Sequence, residues 1–128
     1  MRRGLLVLAA LGVVAVNVIV VAHFLPDPAP PPNASPAQRL YYLHCVTCHG
    51  TQGSGSWRAT LFLIRPGNLA DSRRMAGFSD QYLFDLIKLG GSPIGKPGMP
   101  GFGSHLSDAE IRELVAYVRS LATSGGSR

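Results

Sequence analysis

The pattern of apolar and polar positions divides the chain into stretches of different character. Residues 4–25 form a run of 22 residues without a charged side chain, interrupted by Asn17 and His23. At about 1.5 Å per residue, such a run in helical form reaches roughly 33 Å, enough to cross a hydrocarbon core of about 30 Å. The pattern therefore predicts a single membrane-spanning helix at the start of the chain.

The charges that flank this run predict its orientation. Arg2 and Arg3 precede it, and no Lys or Arg occurs between Gly4 and Gln38. Positively charged flanks stay in the cytoplasm, so we expect a bacterial cytoplasmic membrane protein with a cytoplasmic N-terminus and a periplasmic or extracellular domain. A signal peptide cleaved near Ala22 is the alternative. Its apolar core would be only about 7–15 residues long, which favours an uncleaved signal anchor over residues 1–25.

Residues 26–36 are a proline-rich segment that holds six of the ten prolines of the chain. Proline favours an extended polyproline II conformation and excludes a regular helix or a central strand. At about 3.1 Å per residue, this linker would hold the next domain up to roughly 34 Å from the membrane surface.

Two helices are predicted in the first part of the remaining chain. Ser35 suits an N-cap, Pro36 suits the first helical position, and Gln38 would complete a capping box, so we expect a helix over about 36–45. A second helix is expected to begin after Ser79 and to end at Gly90-Gly91.

A third helix is predicted from Ser107, where Glu110 completes a capping box, to about Thr123. The chain shows no useful β-alternation and no internal repeat. The predicted fold is therefore all-α, with a domain over 37–124 and a flexible tail over 125–128. The apolar stripe of the third helix consists of Ile111, Leu114, Val115, Val118 and Leu121.

Composition and charge narrow the choice of partners. The net charge is +5, and residues 35–128 hold ten Lys or Arg against six Asp or Glu. This excess can favour an acidic docking partner, but no basic cluster with interleaved aromatic residues indicates nucleic acid. A domain of this size is marginal on apolar burial alone, so a bound apolar cofactor would help to complete its core.

The chemistry of the chain is concentrated at its two cysteines. Cys45 and Cys48 are separated by two residues and followed by His49. A disulfide between them would close a very short loop and remove little chain entropy. On one helical turn the three side chains point to one side, so both thiols can add to haem vinyl groups while His49 ligates the iron. The motif predicts one covalently attached haem c.

Other uses of this motif require features that the sequence lacks. A thioredoxin-like redox pair would need a surrounding βαβ pattern, and a zinc site would need a second pair of ligands. A haem-free dithiol protein remains an alternative that retention of haem after denaturation would exclude.

The second iron ligand is predicted to be Met99, which lies in the segment Pro97-Gly98-Met99-Pro100-Gly101. Flanking Gly and Pro favour a loop that can lay the thioether on the haem face opposite His49. Met75 and His105 are the alternatives, and His105 would give a site of lower potential.

Over residues 37–121 the chain resembles the class I c-type cytochromes. The resemblance is carried by CVTCHG at 45–50, GMPGFG at 98–103 and the closing helix at 107–121. It implies a small fold of about three main helices around one covalently bound haem.

The resemblance also implies roles for individual residues. The first and last helices of the domain should cross at Ala37, Tyr41 and Tyr117. A proline carbonyl should accept the second N–H of the axial histidine, and Pro66 is the expected counterpart.

Residues 51–65 are longer than the corresponding stretch of well-known family members, and here the chain departs from the pattern. Trp57 and Arg58 lie in this stretch and are candidates for contacts with the haem propionates. Ordinary surface positions are the alternative for both.

These expectations describe a membrane-tethered electron carrier or an electron-transfer subunit of a respiratory or photosynthetic complex, and not an enzyme by itself. A quinol-oxidising complex, a terminal oxidase or a reaction centre would dock at the haem edge near Cys45 and the Met99 loop.

Asn17, in the middle of the span, slightly favours a fixed subunit over a mobile carrier, because an amide in lipid seeks a partner. A small peroxidase-like enzyme or a gas sensor, with an open sixth position on the iron, is the alternative from another class.

Overall fold

The computed structural model describes residues 2–125, and all regular structure within them is helical. The predicted all-α fold class is confirmed. Of the predicted tail, Gly125 ends the last helix, and residues 126–128 lie outside the described residues. The elements in chain order are α1 (Arg2–Phe24), α2 (Pro36–His44), α3 (Val46–His49), α4 (Trp57–Leu61), α5 (Ser72–Ala76), α6 (Asp80–Leu89), a 3₁₀ turn (Ser92–Ile94) and α7 (Asp108–Gly125).

The predicted helix starts are present, each with an N-cap bond, although the Gln38 side chain bonds to Tyr117 and does not complete the capping box expected at Ser35. The hydroxyl oxygens of Ser35 and Ser79 each accept a hydrogen bond from the amide three residues later, at 3.2 and 3.1 Å. At the start of α7, the Ser107 amide donates to Glu110 Oε2 at 2.8 Å, and the Glu110 amide donates to Ser107 Oγ at 3.3 Å. This reciprocal pair is the predicted capping box.

The two short helices α4 and α5 were not predicted. Each has five residues, too few to display a helical repeat in the sequence. Each begins at a capping side chain: Ser56 Oγ accepts from the Ala59 amide at 3.1 Å, and Asp71 Oδ1 accepts from the Arg74 amide at 3.0 Å. The helix α4 occupies the stretch in which the sequence departs from the family pattern.

The crossing of α2 and α7 forms the centre of the domain. The rings of Tyr41 and Tyr117 lie 5.2 Å apart there, and Ala37 is half-buried on the same helix as Tyr41. Tyr41 is 0% exposed, and its hydroxyl donates to the Gly50 carbonyl at 2.7 Å. The crossing implied by the resemblance is confirmed.

The helix α7 also packs against α5 and α6, so three of the other helices meet on it. Its predicted apolar stripe is buried, with Leu121 half-buried at one edge. Met75, Leu83 and Ile87 face it from α5 and α6.

Arg119 joins α7 to the connection between α5 and α6. Its Nε donates to Asp80 Oδ1 at 2.8 Å, and its two terminal nitrogens donate to the carbonyls of Met75 and Phe78. The guanidinium thus satisfies backbone acceptors at the end of one helix and just before the next.

The proline-rich segment does not hold the domain away from α1. Asp27 pairs with Arg58 at 2.9 Å and accepts a hydrogen bond from the Thr47 hydroxyl at 2.6 Å. These contacts fold the start of the segment onto the domain, so the expected separation of up to roughly 34 Å is wrong. The helix α1 is long and apolar enough to span a membrane.

We expect Arg119→Gln to lower the free energy of unfolding by about 1–3 kcal/mol, because two partly buried carbonyls lose their donors. Chemical denaturation followed by circular dichroism measures this loss. The matched control is Asp80→Asn, which removes only an ion-pair partner whose side chain is 77% exposed, and we expect it to cost below about 1 kcal/mol. Equal losses in the two variants would contradict the role given to the carbonyl bonds.

Tyr41 should make stability decline at alkaline pH. Burial, followed by the nearby Cys45, raises the pKa of Tyr41 above its ordinary value of 10.0. The unfolded chain therefore loses this proton at about pH 10 while the folded chain keeps it, and stability falls as the pH rises above that value. Tyr41→Phe should cost about 1 kcal/mol at neutral pH and should show a shallower alkaline decline. Urea unfolding across this pH range tests the difference, and parallel profiles would contradict it.

Candidate haem site

The short helix α3 brings the two cysteines and the histidine together. The Cys45 amide donates to the Tyr41 carbonyl at 2.8 Å, and the His49 amide donates to the Cys45 carbonyl at 2.8 Å. Cys45 and His49 therefore lie one helical turn apart, with Cys48 three residues after Cys45 on the same side. Both cysteines are half-buried, and no disulfide joins them.

The surroundings of these thiols disfavour their ionised form. Burial raises the pKa of the Cys45 thiol to about 12, and the neighbouring Cys48 adds to the rise. Burial also raises the pKa of Cys48, and the charge of Asp27 acts in the same direction. A redox-active thiol requires a lowered pKa, so this environment is unlike that of a thioredoxin-type pair.

A zinc site is also disfavoured. A tetrahedral zinc site needs further protein ligands beside these two thiols. Among residues 2–125, no group of three or more His, Cys, Asp or Glu side chains is placed to hold a metal ion.

The imidazole of His49 is oriented by a backbone carbonyl. Its Nδ1 lies 3.1 Å from the Gly67 carbonyl oxygen, which can only accept a hydrogen bond. Nδ1 therefore carries the proton, and Nε2 keeps a free lone pair. Burial lowers the pKa of His49, and the bond to Gly67 opposes this with a smaller effect. The ring is held neutral in the tautomer that an axial ligand needs.

This carbonyl corrects one prediction. The acceptor is Gly67 and not Pro66, so the residue that orients His49 lies one position further along the chain. The reason is the anchoring of the following segment, since the Leu69 amide donates to the Gly53 carbonyl at 2.7 Å. That bond fixes the chain with the Gly67 carbonyl facing the ring, and Pro66 is half-buried beside it.

The loop around Met99 is held against the end of α6. The Gly91 amide donates to the Met99 carbonyl at 2.9 Å, and the Met99 amide donates to the Lys96 carbonyl at 3.1 Å. Gly90 has φ +83°, and a Cβ added there would lie 2.8 Å from the Met99 oxygen. The close approach of the loop to the helix therefore depends on a residue without a side chain at this position.

The side chain of Met99 lies at the edge of the core. It is half-buried and packs against the buried cluster, as Cys45 also does. A Cβ built at Gly98 would lie 3.8 Å from Ile64 Cγ2. The Met99 loop therefore faces the segment that continues to Gly67 and the His49 ring.

The two alternative ligands have other surroundings. Met75 lies on α5 and is 2% exposed within the core. His105 is exposed, and its Nδ1 lies 2.8 Å from Ser104 Oγ. A packing role accounts for Met75, and a surface position accounts for His105.

Arg58 has partners other than the predicted propionates. It pairs with Asp27 at 2.9 Å, and one terminal nitrogen donates to the carbonyls of Leu25 and Pro26 at 2.5 and 2.9 Å. These contacts direct the guanidinium to the end of α1. Trp57 is 57% exposed, as the surface alternative for this residue predicts.

Sequence reasoning missed Asp27, Thr47 and Gly67. Asp27 accepts from Thr47, inside the haem motif, and it contributes to the raised pKa of Cys48. One signal was available, because Asp27 is the only acidic residue before Asp71. A lone carboxylate beside a membrane span suggests a specific partner, although the sequence does not say which one.

The fold and this donor set define a c-type cytochrome domain. The family model described as "Cytochrome C oxidase, cbb3-type, subunit III" matches residues 32–118, and the chain belongs to this family. The predicted class I c-type cytochrome is thereby confirmed.

Two known proteins are similar to the chain. The cbb3-type cytochrome c oxidase subunit FixP of Azorhizobium caulinodans is 28% identical over 94 residues, which cover 73% of this chain and 29% of FixP. The chain thus spans under a third of the length of that relative. The structure of the KustC0563 c-type cytochrome matches with a TM-score of 0.56 and 29% identity, covering 66% of this chain and 95% of the other.

We expect Gly90→Ala to destabilise the domain by about 1–3 kcal/mol, since an alanine would be strained at positive φ and its Cβ would meet the Met99 carbonyl. Hydrogen exchange of the Gly91 amide should become about tenfold faster or more, because its bond to Met99 is weakened.

The control is Gly98→Ala in the same loop, where the nearest atom lies 3.8 Å from the added Cβ and where φ is not in the left-handed region. It should change stability by less than about 0.5 kcal/mol. If the two variants behave alike, the packing of Gly90 does not hold the loop.

Proposed function

We propose that this chain carries one covalently bound haem c and transfers electrons as a membrane-anchored subunit of a cbb3-type oxidase complex. Haem c, when bound, supplies a one-electron ferric/ferrous couple. The observation that carries the proposal is the His49 imidazole, whose Nδ1 bonds to the Gly67 carbonyl and leaves Nε2 free, on the same short helix as the thiols of Cys45 and Cys48. Membership of the subunit III family supports the same conclusion.

The proposed attachment uses both cysteines. Cys45 packs against the core, whereas Cys48 lines a groove with Thr47 and Ile64. Because Cys45 lies at the start of α3 and Cys48 near its end, thioether bonds at both would fix a flat ring beside this helix. His49, at the last position of α3, would bind the iron through Nε2.

Met99 is the proposed second protein ligand of the iron. Its loop is fixed by backbone hydrogen bonds to Gly91 and Lys96, so the thioether would be positioned before any ligand binds. A filled sixth position excludes oxygen and peroxide from the iron, which favours electron transfer over a peroxidase or a gas sensor. Ligands held by the backbone also need little rearrangement when the charge of the iron changes.

The proposed membrane placement follows from α1 and its flanking charges. The helix is long and apolar enough to span the bilayer, and Arg2 and Arg3 precede its apolar part. We propose a cytoplasmic N-terminus and a periplasmic haem domain.

The contacts of Asp27 favour a fixed subunit over a carrier that swings on a long tether. Arg58 binds Asp27 and the carbonyls next to α1, which keeps the domain close to the membrane span. Asn17 adds less than expected, since its side-chain amide donates to the Val13 carbonyl at 2.8 Å within the same helix.

The proposed electron acceptor is the oxidase complex, and a quinol-oxidising complex or a carrier reduced by it is the proposed donor. The family favours this terminal oxidase over a photosynthetic reaction centre. Docking near Cys45 and the Met99 loop is supported by Leu89 and Ile94, which are 65% and 47% exposed beside that loop. Exposed apolar residues at a loop rim fit a transient protein contact.

We expect Met99→Ala to abolish the weak far-red absorption band of ferric haem with a thioether ligand. The midpoint potential should fall by on the order of 0.1 V, because thioether ligation favours the ferrous state. Absorption spectroscopy and a redox titration of the full chain measure both effects.

The matched control is Met75→Leu, which preserves volume in the core, should cost below about 1.5 kcal/mol of stability and should leave the band unchanged. A band that survives Met99→Ala, or that disappears with Met75→Leu, would refute the proposed ligand. Haem that leaves the denatured chain would separately refute attachment at Cys45 and Cys48.

A further inference from the structure

The region around α4 lies at the level of the last turn of α1. Ala22 is 1% exposed, although the apolar side chains that precede it in α1 are exposed. The groove that Cys48 lines, of about 360 Å³, extends to this end of α1, where Ala22, Leu25, Ala59 and Phe62 line it. If α1 spans a bilayer, its last turn lies at the boundary between lipid and water. The residues that pack beside Ala22 then lie at the same depth.

Three large apolar side chains are exposed within seven residues of this region. Trp57 is 57% exposed, Phe62 is 42% exposed and Leu63 is 87% exposed. Tryptophan and phenylalanine are typical of segments that lie in the membrane interface. Trp57, Phe62 and Leu63 together form the interfacial patch.

The backbone of Leu63 is strained in a way that keeps its side chain outside the core. Its φ is +58°, a left-handed value that leucine rarely adopts, and no other non-glycine residue among the described residues has positive φ. The turn is held by hydrogen bonds from the Leu63 amide to Thr60 at 3.1 Å and from the Ile64 amide to Ala59 at 2.7 Å. A strained backbone that leaves a leucine exposed has a physical reason if the leucine side chain is buried in a structure outside this chain.

The charges near the patch fit an anionic lipid surface. The chain has no acidic residue between Asp27 and Asp71, and Asp27 is paired with Arg58. Arg65 is exposed two residues after Leu63. A basic residue beside apolar side chains is attracted to anionic headgroups.

We propose that the interfacial patch inserts into the boundary between headgroups and acyl chains of the membrane that α1 spans, with Arg65 at the headgroups. This inference rests on the proposed anchor. The pairing of Arg58 with Asp27 and its bonds to Leu25 and Pro26 hold α4 beside the end of α1, and so direct the patch to the bilayer. A protein partner that covers the patch is the competing occupant, and the experiment below separates the two.

The test uses Trp57, the only tryptophan of the chain. The full haem-loaded chain is prepared with fluorotryptophan, reduced, and placed in nanodiscs that contain phosphatidylcholine and phosphatidylglycerol. Fluorine NMR then compares the relaxation of Trp57 caused by a spin label near the lipid headgroups with that caused by a water-soluble gadolinium chelate. We expect the lipid label to have a severalfold larger effect. A larger effect of the soluble chelate overturns the proposal, because the patch then faces water or awaits a protein.

A second comparison uses Leu63→Asn. Asparagine tolerates positive φ, so the turn is kept while the apolar group is removed. The effect of the lipid label on Trp57 should fall severalfold. The control is Leu43→Gln, which alters a leucine that is 72% exposed on α2, and it should leave the effect unchanged. Equal effects in the two variants overturn the proposal.

Failure of the anchor is measured separately by alkaline extraction of the membranes. A chain that resists extraction but whose Trp57 responds mainly to the soluble chelate retains the anchor and loses the contact. A chain that is extracted overturns both the anchor and the membrane contact of the patch. The absorption spectrum of the haem tests the proposed electron-transfer site independently of both.

Discussion

The hydrogen bond from Tyr41 to the Gly50 carbonyl connects the packing of the domain to its chemistry. Tyr41 is buried at the crossing of α2 and α7, and Gly50 directly follows His49. The chain reverses at Gly50, where φ is +72° and an added Cβ would lie 2.5 Å from the Gly55 carbonyl. A buried hydroxyl without its acceptor is costly, so the crossing and the reversal stabilise each other. The haem motif is thereby a part of the core and not a loop attached to it.

Peptide groups of the backbone position both proposed ligands of the haem site, although they act on the two ligands in different ways. On one side a peptide carbonyl at Gly67 orients His49, and on the other side peptide groups at Gly91 and Lys96 hold the Met99 segment. Backbone groups have few alternative positions once the neighbouring helices are packed. The placement of both proposed ligands therefore follows from the fold, which is the property that an electron-transfer site would require.

The sequence was sufficient for features that depend on neighbouring residues. The structure contains the helix starts predicted at Ser35, Ser79 and Ser107 and the long apolar helix. Each of them is specified by a few neighbouring residues of the sequence. The haem motif and the Met99 segment are short patterns of the same kind, and the roles given to their residues remain proposals. The group that accepts the hydrogen bond of the His49 ring could not be predicted from the sequence. It is a peptide carbonyl, and its direction is set by a hydrogen bond between Leu69 and Gly53. The position of the proline-rich linker could not be predicted either. It depends on the pairing of Asp27 with Arg58, two residues that lie 31 apart in the chain.

The pairing of Asp27 with Arg58 also changes how the domain meets its redox partners. Only Leu25 and Pro26 separate α1 from the paired carboxylate, so most of the proline-rich segment adds no reach. A partner in the same membrane would meet the domain at nearly constant height, and effective concentration rather than bulk concentration would govern their encounter. The Arg58 side chain is 13% exposed and the Asp27 side chain 38%, and salt screens such a partly buried pair less than a fully exposed one. The height of the domain above the membrane would therefore change little with the ionic strength of the surrounding compartment.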